Sequence, residues 1–123
     1  MKLLIIALAV LSTHAFAAPK LCPQGTTPIL TCISNDIIAM YPYVAICEDQ
    51  NGIGIVLDPG AGRTPESMDA VASETETAMI YTATEADADG LTLTHNKNVA
   101  GKKNSTLSFT VGPIDGKLSF NCK

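Results

Sequence analysis

The last third of the chain alternates apolar and polar residues with a period of two. "GLTLTHN" places Leu91, Leu93 and His95 on one face and Thr92, Thr94 and Asn96 on the other. "STLSFTV" sets Leu107, Phe109 and Val111 against Ser and Thr, and "KLSFNC" lines up Leu118, Phe120 and Cys122. In a strand successive side chains point to opposite faces, so three such segments in succession predict half-buried antiparallel strands. On this pattern Cys122 faces the core. "NKNVAGKKN" separates the first two segments as a long hairpin loop, and "GPIDG" separates the last two as a compact turn.

Earlier segments are less regular but carry the same chemistry. "ILTCIS" (29–34), "IIAMYPYVAIC" (37–47), "GIGIVL" (52–57) and "TAMIYTAT" (77–84) are rich in β-branched and aromatic residues, and "SND" and "EDQNG" supply turns between them. Pro42 has no N–H for a ladder, so the second of these segments is expected to break, bulge or run along an edge there. About seven strands result. The predicted fold is all-β, an antiparallel β-sandwich or small β-barrel. The chain has no Trp, so nothing favours an immunoglobulin-type sandwich in particular.

One stretch lacks the period of two. Asp58 to Glu76, "DPGAGRTPESMDAVASETE", is polar and rich in Pro and Gly, which predicts a long loop. Within it Thr64 is suited to cap a short helix, with Pro65 at its first position and Glu66 next, and with Met68 and Val71 turned inward. Arg63, the only arginine of the chain, immediately precedes that start.

The amino-terminal residues bear on compartment. Lys2 followed by the apolar run Leu3–Leu11 has the form of a secretory signal peptide, with Ala15 and Ala17 as the small residues before a cut after Ala17. The run is far short of the ~20 apolar residues of a permanent transmembrane helix. The expected organisation is therefore a signal peptide at 1–17 and one exported domain at 18–123, with no transmembrane segment after cleavage. "PKL" ahead of Cys22 does not resemble a lipid-attachment site. All four cysteines, Cys22, Cys32, Cys47 and Cys122, fall in the exported part, and an even number there predicts two disulfides with three connectivities open. The spacing contains no CxxC knuckle, which argues against zinc.

Charge divides unevenly. Residues 18–96 hold eleven Asp and Glu against Lys20 and Arg63, whereas residues 97–123 hold five Lys against Asp115. An acidic balance argues against nucleic acid as a partner. Three carboxylates alternate in "TEADADGLTLTHN" (84–96), where aligning Gly90 with the invariant glycine of an EF-hand loop puts Glu85, Asp87 and Asp89 at ligand positions. The rest of that alignment fails, because Leu93 and Asn96 fall where later ligands belong and strand period begins at once. Asp89-Gly90 is itself a strong hairpin signal. A turn is the preferred interpretation, with a weak calcium site at Glu85, Asp87 and Asp89 as the alternative.

Little points to catalysis. His95 is the only histidine after residue 17. No nucleophile elbow, HExxH or glycine-rich phosphate cradle is present, and no cofactor is implied. Asn104-Ser105-Thr106 forms a glycosylation sequon, meaningful only in a eukaryotic secretory route. Size, export and disulfides are shared with many bacterial inhibitors of lysozymes and proteases, a likeness of class without a shared motif. The expectation is a non-enzymatic binding module, an inhibitor or interaction protein, whose partner is another exported or envelope macromolecule. Its candidate contacts are the 58–76 loop with Arg63 and the basic hairpin with Lys97, Lys102 and Lys103. A structural, envelope-associated domain is the alternative from another class.

Overall fold

The computed structural model describes residues 21–36, 40–85, 90–99, 103–111 and 113–123. The expected signal peptide at 1–17, Lys102, Asp87 and Asp89 lie outside the described residues. Among the described residues eight strands follow one another: β1 (Thr27–Ser34), β2 (Tyr43–Asp49), β3 (Gly52–Asp58), β4 (Glu66–Glu74), β5 (Ala78–Ala83), β6 (Thr92–Asn96), β7 (Ser105–Val111) and β8 (Ile114–Cys122). Each pairs antiparallel with its neighbour in sequence, and β8 returns to β1, so the sheet closes as an up-and-down barrel. A barrel, not a sandwich, is the outcome. Closure removes the free edges that an open sheet of this size would expose over most of its length.

The seven expected strands are present, and the eighth corrects the sequence-based picture. Most of the 58–76 stretch is strand β4, and no helix starts at Thr64. Met68 and Ala70 of β4 turn into the barrel while Glu66, Ser67, Asp69 and Val71 stay at the surface. Only two apolar side chains are thus needed on the inner face, too few to produce a visible alternation. What fixes β4 is pairing on both sides, Ile53↔Ala70 to Leu57↔Glu66 with β3 and Ala70↔Ala83 to Glu74↔Met79 with β5. Val71, expected to face inward on a helix, is instead 56 % exposed. The compact turn before β8 is also shorter than "GPIDG", because Ile114, Asp115 and Gly116 already belong to the strand.

Eight strands enclose a space that side chains can fill. Val44, Ile46, Ile55, Leu93, Leu107 and Phe120 do so, each with no exposed surface. The inner ring of Phe109 lies across Gly116, its directly paired residue. A Cβ there would stand 2.3 Å from the Phe109 ring, so only glycine leaves room for it. Pro28 sits beside a bulge in β1, where a missing N–H is tolerated. The β2 strand starts at Tyr43, just after Pro42, as the missing donor requires.

One sector is buried on both faces. Residues 21–26 cross the outside of the barrel over β2 and β3, where Leu21 and Cys22 cover Ala45, Cys47 and Val56. The Cys22–Cys47 disulfide fastens this segment. The second disulfide, Cys32–Cys122, joins β1 to β8 across the closing seam, between directly opposed residues. Both bridges indicate an oxidising, extracellular type of compartment. Among the described residues no helix is long and apolar enough to cross a membrane.

The two bridges close loops of 25 and 90 residues, for which chain entropy gives about 3.5 and about 4.6 kcal/mol respectively. Replacing Cys32 and Cys122 together by Ala is therefore expected to lower unfolding free energy more than replacing Cys22 and Cys47 together. Urea unfolding of the two double variants measures this; the reverse order would mean that the outer segment, not the seam, limits stability.

Candidate functional site

In an up-and-down barrel, successive connections fall at alternate ends. The β1–β2, β3–β4, β5–β6 and β7–β8 connections share one end, and the β2–β3, β4–β5 and β6–β7 connections share the other. Arg63 lies in the β3–β4 connection, whereas Lys97 and Lys103 lie in the β6–β7 connection. The two groups of basic residues picked out from the sequence are thus at opposite ends of the barrel and do not form one contact surface.

The Arg63 loop has a defined shape. Asp58 Oδ1 accepts from the Gly60 N–H at 2.8 Å, and the Gly60 carbonyl accepts from the Arg63 N–H at 3.0 Å. Between them Gly60, Ala61 and Gly62 all have positive φ, 71°, 53° and 74°. Glycine takes this conformation without cost, while Ala61 gives up roughly 1 kcal/mol to hold it. Gly60 abuts the ring of Pro42 so closely that a Cβ would stand 3.0 Å from its Cγ, which ties the loop to residues 40–42 beside it. Tyr41 reaches from that neighbour onto the end of the core. Burial raises the pKa of its phenol, the nearby Glu66 carboxylate adds to the rise, and the Arg63 guanidinium opposes it. Met40 is 62 % exposed beside them. A rim results in which Met40 and Arg63 are exposed and Tyr41 and Pro42 half-buried, with an apolar part and one cation.

The opposite end uses its polar residues internally. Lys97 Nζ pairs with Glu74 Oε2 and donates to the Thr75 carbonyl at 2.9 Å, binding the β6–β7 loop to the β4–β5 turn. Lys103 is exposed. Inside the rim runs a chain of hydrogen bonds that the sequence did not reveal. Asn104 Nδ2 donates to the Cys122 carbonyl and Asn104 Oδ1 accepts from the Cys122 N–H, both at 2.8 Å. These two backbone contacts fix which way the Asn104 amide points. Oδ1 also receives the Ser105 hydroxyl at 2.9 Å, and since an oxygen without hydrogen can only accept, Ser105 is the donor. His95 Nδ1, 2.8 Å from the same Ser105 Oγ, must then carry a proton and donate.

That polarity decides what the His95–Ser105 pair can do. A nucleophilic serine gives its proton to the histidine nitrogen. Here the hydroxyl proton is directed to Asn104, and Ser105 has no exposed surface for a substrate to reach. The pair instead fills the polar end of an otherwise apolar interior. His95 was visible as an inward residue on the Leu91 and Leu93 face; its partners were not, because they depend on the pairing of β6 with β7. The Asn104 sequon is itself explained by this arrangement. Asn104 is 8 % exposed, and its amide takes the place of a main-chain partner for Cys122 just before β7 begins.

Of the calcium candidates, Glu85 is described, and its carboxylate accepts from the Asp69 N–H at 3.4 Å. Gly90 has φ 69°, but β5 and β6 pair no further than Thr82↔Thr92, so their connection is longer than a two-residue Asp89-Gly90 hairpin. Among the described residues no three His, Cys, Asp or Glu side chains are grouped as a metal site would need.

Asn104→Ala would strand both main-chain groups of Cys122, at about 1–3 kcal/mol for each unsatisfied group. A loss of at least about 2 kcal/mol in urea unfolding is expected, whereas Lys103→Ala leaves stability unchanged. Acid sensitivity follows from the rim. The Lys97 hydrogen bond, reinforced by its charge, holds the Glu74 carboxyl below its ordinary value of 4.5. A depressed folded pKa adds stability above the ordinary value and loses it as pH falls through the folded one. Glu74→Gln should accordingly flatten the fall in urea midpoint as the pH drops below about 5, without changing the slope near neutrality.

Compared with protein-family models, with curated proteins and with solved structures, the chain matches none.

Proposed function

We propose that the chain is an exported, non-enzymatic binding module, an inhibitor or interaction protein, that meets another exported or envelope macromolecule with the barrel end carrying Arg63. The observation that carries this reading is the loop itself. Three successive left-handed residues, one of them alanine, hold an exposed loop in a conformation it would not adopt freely. Strain of this kind persists only where the surroundings enforce it, and it concentrates at ligand clamps and active sites. A loop shaped before binding loses less entropy on docking. Next to it, Met40 and Tyr41 add apolar contact, and arginine is among the residues enriched at binding hot spots.

Packing of the interior supports a surface contact over an enclosed ligand, since Val44, Ile46, Ile55, Leu93, Leu107 and Phe120 fill it with no exposed area. The Lys97 and Lys103 end is the weaker candidate, because Lys97 is already engaged by Glu74.

Affinity capture from the native extracellular or periplasmic extract, with the oxidised protein as bait, identifies the partner. Arg63→Ala and Met40→Ala are each expected to weaken that partner by about tenfold or more, with unchanged melting temperature because both side chains are exposed. Full affinity in the double variant would reject this end as the docking surface.

A further inference from the structure

We infer that the rim of β4 beyond its pairing with β3, together with the acidic groove beside it, is a strand-addition site for an extended segment of another protein bearing a cationic side chain. This surface is independent of the Arg63 loop.

The inference starts from the ladder. The β3–β4 register ends at Ile53↔Ala70, whereas β4 continues to pair with β5 as far as Glu74↔Met79. Two bonds fix which residues face which side. The Asp69 carbonyl accepts from the Thr84 N–H, and the Ala78 carbonyl accepts from the Thr75 N–H, so odd-numbered residues of β4 direct their main-chain groups to β5. Ala72 and Glu74 therefore direct theirs the other way, where β3 has already turned off into its hairpin. No described strand pairs with them on that side. Some stagger of strand ends is a geometric requirement of any tilted barrel. What adjoins this stagger is not.

A groove of about 670 Å³ opens where β3 leaves β4. Its floor includes Gly52 and Gly54, which contribute no side chains, so the main chain is approachable there. Pro23, Gln24 and Thr26 form one wall, held in place by the Cys22–Cys47 disulfide, and Val71 forms part of the other. Among the described residues, Asp49 and Asp69 are the charged ones that line it. Asp49 Oδ1 receives the Asn51 and Gly52 N–H groups, while Glu85 leans toward Asp69 through its main-chain N–H. Negative charge is thus fixed on both sides of a bare shelf.

These features select one kind of occupant. Free N–H and C=O groups on a strand edge pair with an extended chain, and pockets alongside take alternate side chains of that chain. Two carboxylates with no described cation among the lining residues favour lysine or arginine in the pocket and repel acidic segments.

The test uses the whole oxidised protein and two synthetic extended peptides, one with Lys at alternate positions and one with Gln in their place, followed by fluorescence anisotropy. The Lys peptide is expected to bind saturably, about tenfold or more tighter than the Gln peptide, with affinity falling as salt rises. Ala72→Pro removes an N–H that faces no described strand, which a rim position tolerates, and should abolish binding with little change in melting temperature. Asp69→Asn should weaken binding and flatten its salt dependence. Should the Pro variant fail to fold, hydrogen exchange in the unaltered protein replaces it, and slowing at Ala72 and Glu74 on adding peptide is the expected result. Arg63→Ala should leave peptide binding unchanged. Absence of saturable Lys-peptide binding, equal binding of the Gln peptide, or equal binding by the Pro variant would each overturn the inference. So would self-association that the Pro variant removes, which would assign the rim to a second copy of the chain.

Discussion

The barrel depends on one long-range contact, the seam between β1 and β8. Every other pairing joins strands that are neighbours in sequence and can form as a local hairpin. The seam instead joins residues 90 positions apart through the Cys32–Cys122 bridge. Thr31 and Lys123 exchange two main-chain bonds on one side of it, and Asn35 reaches Ser119 on the other. Without these contacts the sheet would open, exposing two long edges and the apolar side chains they cover. Local hairpins form quickly and distant pairings slowly, so seam closure is the step that carries the loop-closure entropy of folding.

The polar end of the interior serves the same closure. Asn104 stands where β7 has not yet begun and gives Cys122 the two hydrogen bonds that a neighbouring strand would otherwise supply. Ser105 and His95 continue this support inward, so a histidine and a serine at hydrogen-bond distance act in structure. Such a pair invites a catalytic interpretation until the direction of each proton is followed. The amide orientation, fixed by main-chain groups, settles that direction.

Strands with one apolar face were legible in the sequence because burial on one side writes a period of two. Leu91, Leu93, Leu107, Phe109, Leu118 and Phe120 all turn inward as that period requires. The β2 strand was legible for another reason: covered by residues 21–26 outside and the core inside, it reads as a continuous apolar run. Strand β4 was not legible, since it offers the interior only Met68 and Ala70 and its start is marked by Pro and Gly. Its existence is a requirement of closure, a property of the whole sheet. The same limit applies to the candidate sites. Arg63 stood out as a lone cation in a glycine-rich stretch, but its separation from Lys97 and Lys103 depends on how many strands lie between them. Counting β4 as a loop would have placed them at the same end.

Burial of the Asn104 amide has a consequence for how the protein is made. Its nitrogen is both the donor to Cys122 and the atom that a eukaryotic glycosylation machinery modifies in Asn-Ser-Thr sequences. That modification acts on chains still entering the secretory pathway, before the seam has closed. A sugar attached at that stage would have to be accommodated where the barrel packs Asn104 against β8. The choice of a bacterial or a eukaryotic secreting host thus becomes a choice between a chain free to close and one obstructed at its last step.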